Sequence, residues 1–219
     1  MKSLNILLGG PIELLPDKIF EKLHDNLWLG VDRGALRLLK HGIYPQIAVG
    51  DFDSVSTMEH AEILTQLRDI RQVKPEKDET DFELALKIAL AKFSFEELHV
   101  YGATGGRLDH FLSNIWVLTQ TKFTSLIGKI KFYDRGNTLS FYLPGEHSIQ
   151  KETDKRYLGF MNLTPVSGLT LIDEKYHLKN WHSNVPFSWS SNEFVGTTNH
   201  FKFETGIILV IQSKDTQKI

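Results

Sequence analysis

The sequence contains no cysteine among its 219 residues. The absence of thiols excludes a disulfide framework, catalysis by a thiolate and any zinc site with cysteine ligands, and it fits a cytoplasmic protein. Long apolar runs are also missing, and the residues after Met1 read directly as a strand. We therefore predict neither a signal peptide nor a membrane span.

Neither sign of charge dominates, since 25 basic and 27 acidic residues give a formal net charge of −2. A protein that binds nucleic acid non-specifically needs a basic surface, so we predict no nucleic-acid partner. The motifs G-x-G-x-x-G and G-x-x-x-x-G-K-[ST] are absent, so neither glycine fingerprint supports nucleotide binding. With 41% hydrophobic and 24% charged residues, the composition is that of an ordinary globular protein.

Before residue 130, short apolar runs alternate with helical patterns. The predicted strands cover residues 4–8, 27–31, 47–49, 70–73 and 98–101, and the predicted helices cover residues 17–24, 35–41, 57–68, 81–93 and 109–119. Such alternation predicts a parallel sheet with helices on both faces. Residues 56–59 and 80–83 have the form of capping boxes, and Gly42 is placed to end the second helix.

After residue 130 the helical patterns stop and short, often alternating strands take over. They are predicted at residues 131–133, 138–143, 157–161, 169–172, 201–203 and 207–211, separated by turn residues. Regular short strands of this kind predict an all-β sandwich. We therefore expect an α/β domain over residues 1–130 and a β-sandwich domain over residues 131–219.

Asp51 and Asp53 directly follow the third predicted strand. A strand has a side-chain period of two, so both carboxylates would point the same way, with Cα atoms roughly 6.5–7 Å apart. Two such charges brought to 4 Å repel by about 4 kcal/mol at an effective dielectric of 20, which favours a cation between them. Oxygen ligands of this kind suit Mg²⁺ with a phosphorylated substrate. The alternative is a turn in which the carboxylates accept backbone N–H bonds.

Three further clusters of acidic residues or glycines also follow predicted strands. The four clusters cover residues 30–35, 51–53, 77–81 and 102–110. Ligands of parallel sheets bind beyond the carboxyl ends of the strands, so we expect these clusters at one edge. Arg107, in a glycine-rich loop, has the forked donors that match phosphate oxygens. Helix capping by Asp81 and Asp109, and turns made by the glycines, are the alternatives.

The order of these motifs resembles the thiamine pyrophosphokinase (thiamine diphosphokinase) family. The motifs are Val-Asp-Arg-Gly-Ala, Gly-Asp-Phe-Asp-Ser, Lys-Asp-x-Thr-Asp and Gly-Gly-Arg-x-Asp-His, all between residues 31 and 110. Lys-Tyr-His-Leu at 175–178 and Ser-Asn-Glu-Phe at 191–194 look like two further family elements. The resemblance covers nearly the whole chain and is strongest from residue 30 to residue 114.

This resemblance implies a Rossmann-like nucleotide-binding catalytic domain followed by a β-sandwich for thiamine binding and dimerisation. It implies transfer of the pyrophosphoryl group of ATP to thiamine, giving AMP and thiamine diphosphate, with Mg²⁺ as cofactor. It also implies a homodimer with the active sites between subunits.

Carried over residue by residue, the resemblance implies a set of site residues. The metal ligands would be Asp51, Asp53 and Asp81, which with Asp109 are also the catalytic residues. The nucleotide site would contain Asp32, Thr80, Arg107 and Asp109. The thiamine site would contain Tyr176, Ser191 and Asn192 of the partner subunit, with Trp181 or Trp189 as other candidates for stacking on thiamine. Residues 173–174 depart from the family, because Asp-Glu stands where Gly-Leu is usual.

Two other functions are compatible with part of the pattern. Asp-x-Asp after an apolar strand also opens the haloacid-dehalogenase-like phosphatases, whose first aspartate is a nucleophile. That hypothesis leaves the clusters around Asp81 and Arg107, and the β-rich C-terminal third, unassigned. A non-catalytic nucleotide sensor would bind ligand without turnover.

Overall fold

The computed structural model describes residues 2–53, 55–72 and 79–215. Ser54, Val73, Lys77 and Asp78, which enter the sequence predictions, lie outside the described residues. The fold is mixed α/β, with a large mixed sheet and a second, antiparallel sheet. The chain divides into two compact units, one with the residues up to Val117 and Phe132–Arg135, the other with Leu118–Lys131 and the residues from Gly136 onward. Among the described residues, no helix is long and apolar enough to cross a membrane.

Among its described residues, the first unit contains five parallel strands in the order β5-β1-β2-β3-β4. They are β1 (Ser3–Leu7), β2 (Trp28–Val31), β3 (Ile47–Gly50), β4 (Ile70–Gln72) and β5 (Glu97–Tyr101). All four residues of β2 and of β3 are buried, as expected for parallel strands covered on both faces. The predicted parallel pairing is confirmed, and the strand order reverses between β1 and β5.

In the part of the chain that the structure describes, five α-helices alternate with these strands. They are α1 (Ile19–Lys22), α2 (Arg33–Lys40), α3 (Thr57–Gln66), α4 (Asp81–Lys92) and α5 (Leu108–Trp116). The first helix is shorter than the predicted 17–24, because Lys18 has a left-handed φ of 58° and the helix cannot begin before Ile19. After α5 the chain tightens into a 3₁₀ turn, Val117–Thr119, where a longer helix was predicted.

Local capping signals fix where three of these helices begin or end. Ser56 and Glu59 form the predicted capping box of α3. At α4, the Thr80 side chain accepts the backbone N–H of Glu83 at 3.1 Å. Gly42 has a φ of 72° directly after the end of α2, the conformation that favours glycine at that position.

The second unit contains two antiparallel groups of strands, β12-β9-β14-β7 and β11-β10-β13-β8. The strands are β7 (Asn137–Tyr142), β8 (Gly145–Gln150), β9 (Tyr157–Asn162), β10 (Val166–Leu171), β11 (Leu178–Ser183), β12 (Phe187–Glu193), β13 (Thr198–Phe203) and β14 (Ile208–Ser213). Both groups contribute to one apolar cluster, with Phe160 and Val210 from the first and Leu169 and Phe201 from the second. The short strand β6 (Ile130–Tyr133) is divided between the two units.

Three strands of the second unit, β8, β11 and β12, were not predicted from the sequence. Their sequences are Gly-Glu-His-Ser-Ile-Gln, Leu-Lys-Asn-Trp-His-Ser and Phe-Ser-Trp-Ser-Ser-Asn-Glu. Each is mostly polar because one face is exposed and few residues point to the core, so the apolar alternation that marks a strand is weak.

Candidate active site

Three carboxylates from three separate segments of the chain converge in the first unit. Asp32, Asp51 and Asp81 each offer an oxygen, and these oxygens lie within 4.8 Å of one another. Asp32 follows β2, Asp51 follows β3, and Asp81 begins α4. Because β2 and β3 are parallel neighbours, their carboxyl ends lie at the same edge of the sheet, as the sequence analysis expected for this class of fold.

The position of Asp32 is set by its backbone conformation. Asp32 has a φ of 47°, rare for a residue with a side chain, and its N–H donates to the carbonyl of Val49 at 2.9 Å. Its carboxylate accepts the N–H of Phe52 at 3.3 Å. A Cβ at Gly50 would stand 1.8 Å from Asp32 Oδ1, so the approach of this carboxylate to β3 requires glycine.

Negative charge is concentrated at this point. Burial raises the pKa of Asp32, and the nearby carboxylates of Asp81, Asp51 and Asp53 raise it further. The hydrogen bond from the N–H of Phe52 opposes this shift, and the resulting pKa of Asp32 is about 7. Repulsion from Asp51 likewise raises the pKa of Asp53. A bound cation would reverse these shifts, because it favours the ionised form of each group. An oxygen-only donor set of this kind fits a hard divalent cation such as Mg²⁺.

Asp53 lies beside this cluster but is not one of the three converging groups. Its side chain is exposed, and its backbone N–H donates to Asp51 Oδ1 at 3.0 Å. Asp51 therefore matches both hypotheses for the Asp-x-Asp pair. It accepts a backbone N–H in a turn, and it also lies in a cluster of carboxylates that could bind a cation. Asp32 was predicted for the nucleotide site alone, because its approach to Asp51 depends on the pairing of β2 with β3.

Two glycine-containing loops meet where the strand order reverses. The N–H of Gly10, after β1, donates to the carbonyl of Gly102, after β5, at 3.0 Å. A Cβ at Gly10 would stand 2.4 Å from that carbonyl oxygen, so glycine permits the contact. The Gly9-Gly10 pair was missed in the sequence analysis, although a glycine pair directly after the first strand was a usable signal. Such a switch point is where ligands of parallel sheets bind.

Arg107 and Asp109 lie at the start of α5, both exposed. Arg107 Nε donates to Asp109 Oδ1 at 3.1 Å, and the guanidinium holds the pKa of Asp109 below its ordinary value. Asp109 is not among the three converging carboxylates. Thr80, also exposed, uses its hydroxyl oxygen to cap α4 and thereby places Asp81 in the first turn of that helix.

The three residues predicted for thiamine lie in the second unit. The Tyr176 side chain is 59% exposed, with Lys175 Nζ 5.4 Å from its ring centroid. Ser191 is exposed with a φ of 59°, whereas Asn192 is buried. The rings of Trp181 and Trp189 lie edge to face with their centroids 4.3 Å apart. Both pack against the apolar cluster of this unit. Of the three aromatic candidates, Tyr176 is the most exposed, because Trp181 and Trp189 are both partly buried.

Comparison with known proteins assigns the family. Residues 20–128 match the family model for "Thiamin pyrophosphokinase, catalytic domain", and residues 146–208 match that for "Thiamin pyrophosphokinase, vitamin B1 binding domain". The chain is 39% identical to thiamine pyrophosphokinase of Bacillus subtilis, over 98% of this chain and 100% of that protein. The chain belongs to the thiamine pyrophosphokinase family.

Solved structures of thiamine pyrophosphokinases have the same fold. A family protein from Enterococcus faecalis superposes with a TM-score of 0.90 at 40% identity, covering 99% of this chain and all (100%) of that one. The Bacillus subtilis enzyme superposes with a TM-score of 0.82 at 37% identity, covering 98% and 100% of the two chains. The resemblance deduced from the motifs is confirmed, and the phosphatase and sensor alternatives are disfavoured. The catalytic-domain match contains the three converging carboxylates, and the vitamin B1 match contains Tyr176.

Proposed function

We infer that this protein transfers the pyrophosphoryl group of ATP to the hydroxyl of thiamine, giving thiamine diphosphate and AMP. The observation that carries the inference is the match to thiamine pyrophosphokinases along the whole chain. The convergence of Asp32, Asp51 and Asp81 supplies the chemistry, because pyrophosphoryl transfer depends on positioning and on neutralising the charge of the phosphate oxygens.

We assign the cofactor as Mg²⁺, held by Asp51 and Asp81 together with Asp32. Bound there, the ion would neutralise phosphate charge. Asp53, whose N–H already holds Asp51, orients that ligand and adds negative charge beside it. We also assign Asp53 as a metal ligand and catalytic residue, on the exposed side of the cluster.

The nucleotide side is assigned to Asp32, Thr80, Arg107 and Asp109. Arg107 is the residue whose planar donors suit phosphate oxygens, and its bond to Asp109 orients the guanidinium before substrate arrives. Asp109 thereby takes part in catalysis by holding Arg107. Thr80 contributes through the start of α4, where it fixes the approach of Asp81.

The thiamine side is assigned to Tyr176, Ser191 and Asn192. Thiamine is cationic and aromatic, so an exposed tyrosine ring is a suitable face for stacking and for cation–π attraction. Tyr176, in the second unit, has such a ring. The exposed Ser191 lies on β12, the strand whose Asn192 binds the backbone of Tyr176.

The larger organisation forms part of the same proposal. We assign residues 1–130 to a Rossmann-like catalytic domain and residues 131–219 to a β-sandwich for thiamine binding and dimerisation. We further propose a cytoplasmic homodimer with the active site at the subunit interface. The support for a dimer is an exposed apolar stripe on α5, in which Leu108, Leu112 and Trp116 follow each other at intervals of one helical turn.

Product analysis tests this function against the two alternatives. Purified protein is incubated with ATP, Mg²⁺ and thiamine, and the nucleotides are separated by chromatography. We expect AMP and thiamine diphosphate in equal amounts, and neither product when thiamine is omitted. Thiamine-independent release of phosphate would indicate a phosphohydrolase, and binding of ATP without any product would indicate a sensor.

A further inference from the structure

The side chain of Asn192 turns into the second unit because of an irregularity in β12. The register between β12 and β9 shifts between Trp189 and Asn192, and Ser191 within that interval has a left-handed φ of 59°. Ser190 and Ser191 are both exposed, and Asn192 that follows is 2% exposed. A bulge of this kind redirects the side chains that come after it.

Both ends of the buried Asn192 carboxamide bind the backbone of Tyr176. Asn192 Oδ1 accepts the N–H of Tyr176 at 2.9 Å, and Asn192 Nδ2 donates to the carbonyl of Tyr176 at 2.8 Å. The same Oδ1 also accepts the N–H of Glu193 at 3.0 Å. The Asn192 amide thus binds both the N–H and the carbonyl of Tyr176, as a neighbouring strand would. Its oxygen accepts two hydrogen bonds, from Tyr176 and from Glu193.

The neighbouring residues repeat this attachment. The N–H of Lys175 donates to the carbonyl of Glu193 at 3.1 Å, and Lys175 Nζ pairs with Glu193 Oε1 at 2.7 Å. Glu174 forms an isolated antiparallel bridge with Phe194. The segment that presents Tyr176 is therefore fixed along residues 192–194, while the Tyr176 ring itself stays 59% exposed.

We propose that Asn192 is a positioning residue that acts on thiamine only through Tyr176, by holding the Tyr176 backbone so that the exposed ring keeps one orientation. The proposal rests on the assignment of Tyr176 to the thiamine site. It replaces direct contact between Asn192 and thiamine with an indirect role. A buried amide whose two ends are already bonded to protein backbone has little capacity to recognise a ligand.

A double-mutant cycle separates the indirect role from direct contact. Asn192→Ala, Tyr176→Ala and the double variant are compared by their KM for thiamine and for ATP. We expect Asn192→Ala to raise the thiamine KM by roughly ten- to a hundredfold, because a misplaced stacking ring binds poorly, with the ATP KM little changed. In the Tyr176→Ala background, Asn192→Ala should raise the thiamine KM no further.

Asn162 provides a matched control. It is also buried, at 1% exposure, and its amide also bridges backbone groups, accepting the N–H of Phe187 at 2.8 Å and donating to the carbonyl of Val185 at 3.0 Å. Asn162→Ala removes a comparable set of bonds away from Tyr176. It should lower the unfolding temperature to a similar extent as Asn192→Ala and leave the thiamine KM at the wild-type value.

Amide hydrogen exchange gives a readout that does not depend on turnover. The Tyr176 N–H should be protected in the wild-type chain and in Asn162→Ala, and should exchange faster in Asn192→Ala, which removes the oxygen that accepts this N–H. Equal exchange in all three proteins would overturn the proposal, as would multiplicative effects of Asn192→Ala and Tyr176→Ala on the thiamine KM. Absence of turnover in the wild-type protein would refute the assigned function, and the exchange rates would still decide the role of Asn192.

Discussion

At the scale of single residues, two carboxyl groups, those of Asp32 and Glu174, have pKa values raised to about 7. Glu174 has no exposed surface, its Oε1 has no hydrogen-bond partner among the described residues, and its Oε2 accepts the N–H of Asp173 at 3.2 Å. Burial is the main cause of the shift at Glu174, and the Asp173 carboxylate adds to it.

Glu174→Gln should therefore change how stability depends on pH. Glu174 has an ordinary pKa of 4.5 and a folded pKa of about 7, so between these values the folded state holds a proton that the unfolded state has released. Stability is highest below pH 4.5 and falls as the pH rises towards 7, by about 3 kcal/mol for this group. Denaturant unfolding of the metal-free protein from pH 4.5 to 8 measures the fall.

The raised pKa of Asp32 should likewise make the unfolding free energy fall as the pH rises, so the two carboxyl groups can be compared in one protein. Glu174→Gln and Asp32→Asn should each remove part of the decrease in unfolding free energy, because the pKa of both carboxyl groups is raised in the folded state. A pH profile in Glu174→Gln identical to that of the wild-type chain would show that the buried carboxyl is not protonated in the folded state.

The three converging acidic residues were each candidates from the sequence, whereas their grouping could not be predicted. Asp32, Asp51 and Asp81 each follow a predicted strand, and that position was enough to nominate them. Which carboxylates approach one another depends on the pairing of β2 with β3 and on the left-handed backbone at Asp32. Neither feature leaves a local pattern, so the approach of Asp32 to Asp51 and Asp81 could not be predicted from the sequence.

At the scale of elements, the carboxyl end of β3 and the start of α2 approach so closely that only hydrogen fits between them. Gly50→Ala places a Cβ 1.8 Å from Asp32 Oδ1, at a backbone φ of 146° that residues with a side chain rarely adopt. The Asp32 carboxylate must move, so we expect turnover to fall by more than about a hundredfold. The unfolding free energy should fall by about 2 kcal/mol or more.

Gly128→Ala is the control for this prediction. Gly128 also has a positive φ, of 85°, but a Cβ there would meet no atom within 4 Å. Gly128→Ala should lower the unfolding free energy by about 1 kcal/mol because of its backbone conformation, and it should retain turnover. If Gly50→Ala and Gly128→Ala had the same activity, the close approach of Asp32 to β3 would not matter for catalysis.

The elements themselves were predicted with uneven success, for a physical reason. Strands of the parallel sheet are buried on both faces and read as continuous apolar runs, so β1, β2 and β3 were located to within a residue or so. Strands β11 and β12 each lie at the end of a strand group and have many exposed residues. Their positions are set by pairing with β10 and β9, which a single-strand pattern does not reveal.

At the scale of the whole molecule, the exposed stripe on α5 should belong to an interface between two copies of the chain. Leu108 is 73% exposed, Leu112 42% and Trp116 48%, and three such side chains in a row are unusual on a helix that faces water. Sedimentation should give twice the chain mass of 25.1 kDa for the wild-type protein. Leu112→Asp should give the single-chain mass.

Leu64→Asp is the matched control, because Leu64 on α3 is similarly exposed, at 51%, and the residues four before and four after it are His60 and Arg68. It should sediment as the wild-type protein does. A wild-type protein with the mass of one chain, or a Leu112→Asp variant that keeps the double mass, would remove α5 from the proposed interface.

We propose that a pyrophosphoryl group passes intact from ATP to thiamine at the cluster of Asp32, Asp51 and Asp81. The most direct measurement follows ATP radiolabelled at its β-phosphorus, with Mg²⁺ and thiamine, in wild-type protein, Asp51→Asn and the exposed control Asp25→Asn. We predict that the label appears in thiamine diphosphate in the wild type and in Asp25→Asn, at one per AMP formed. Asp51→Asn should form product at least about a hundredfold more slowly. Label in ADP or free phosphate, or full transfer by Asp51→Asn, would contradict the account.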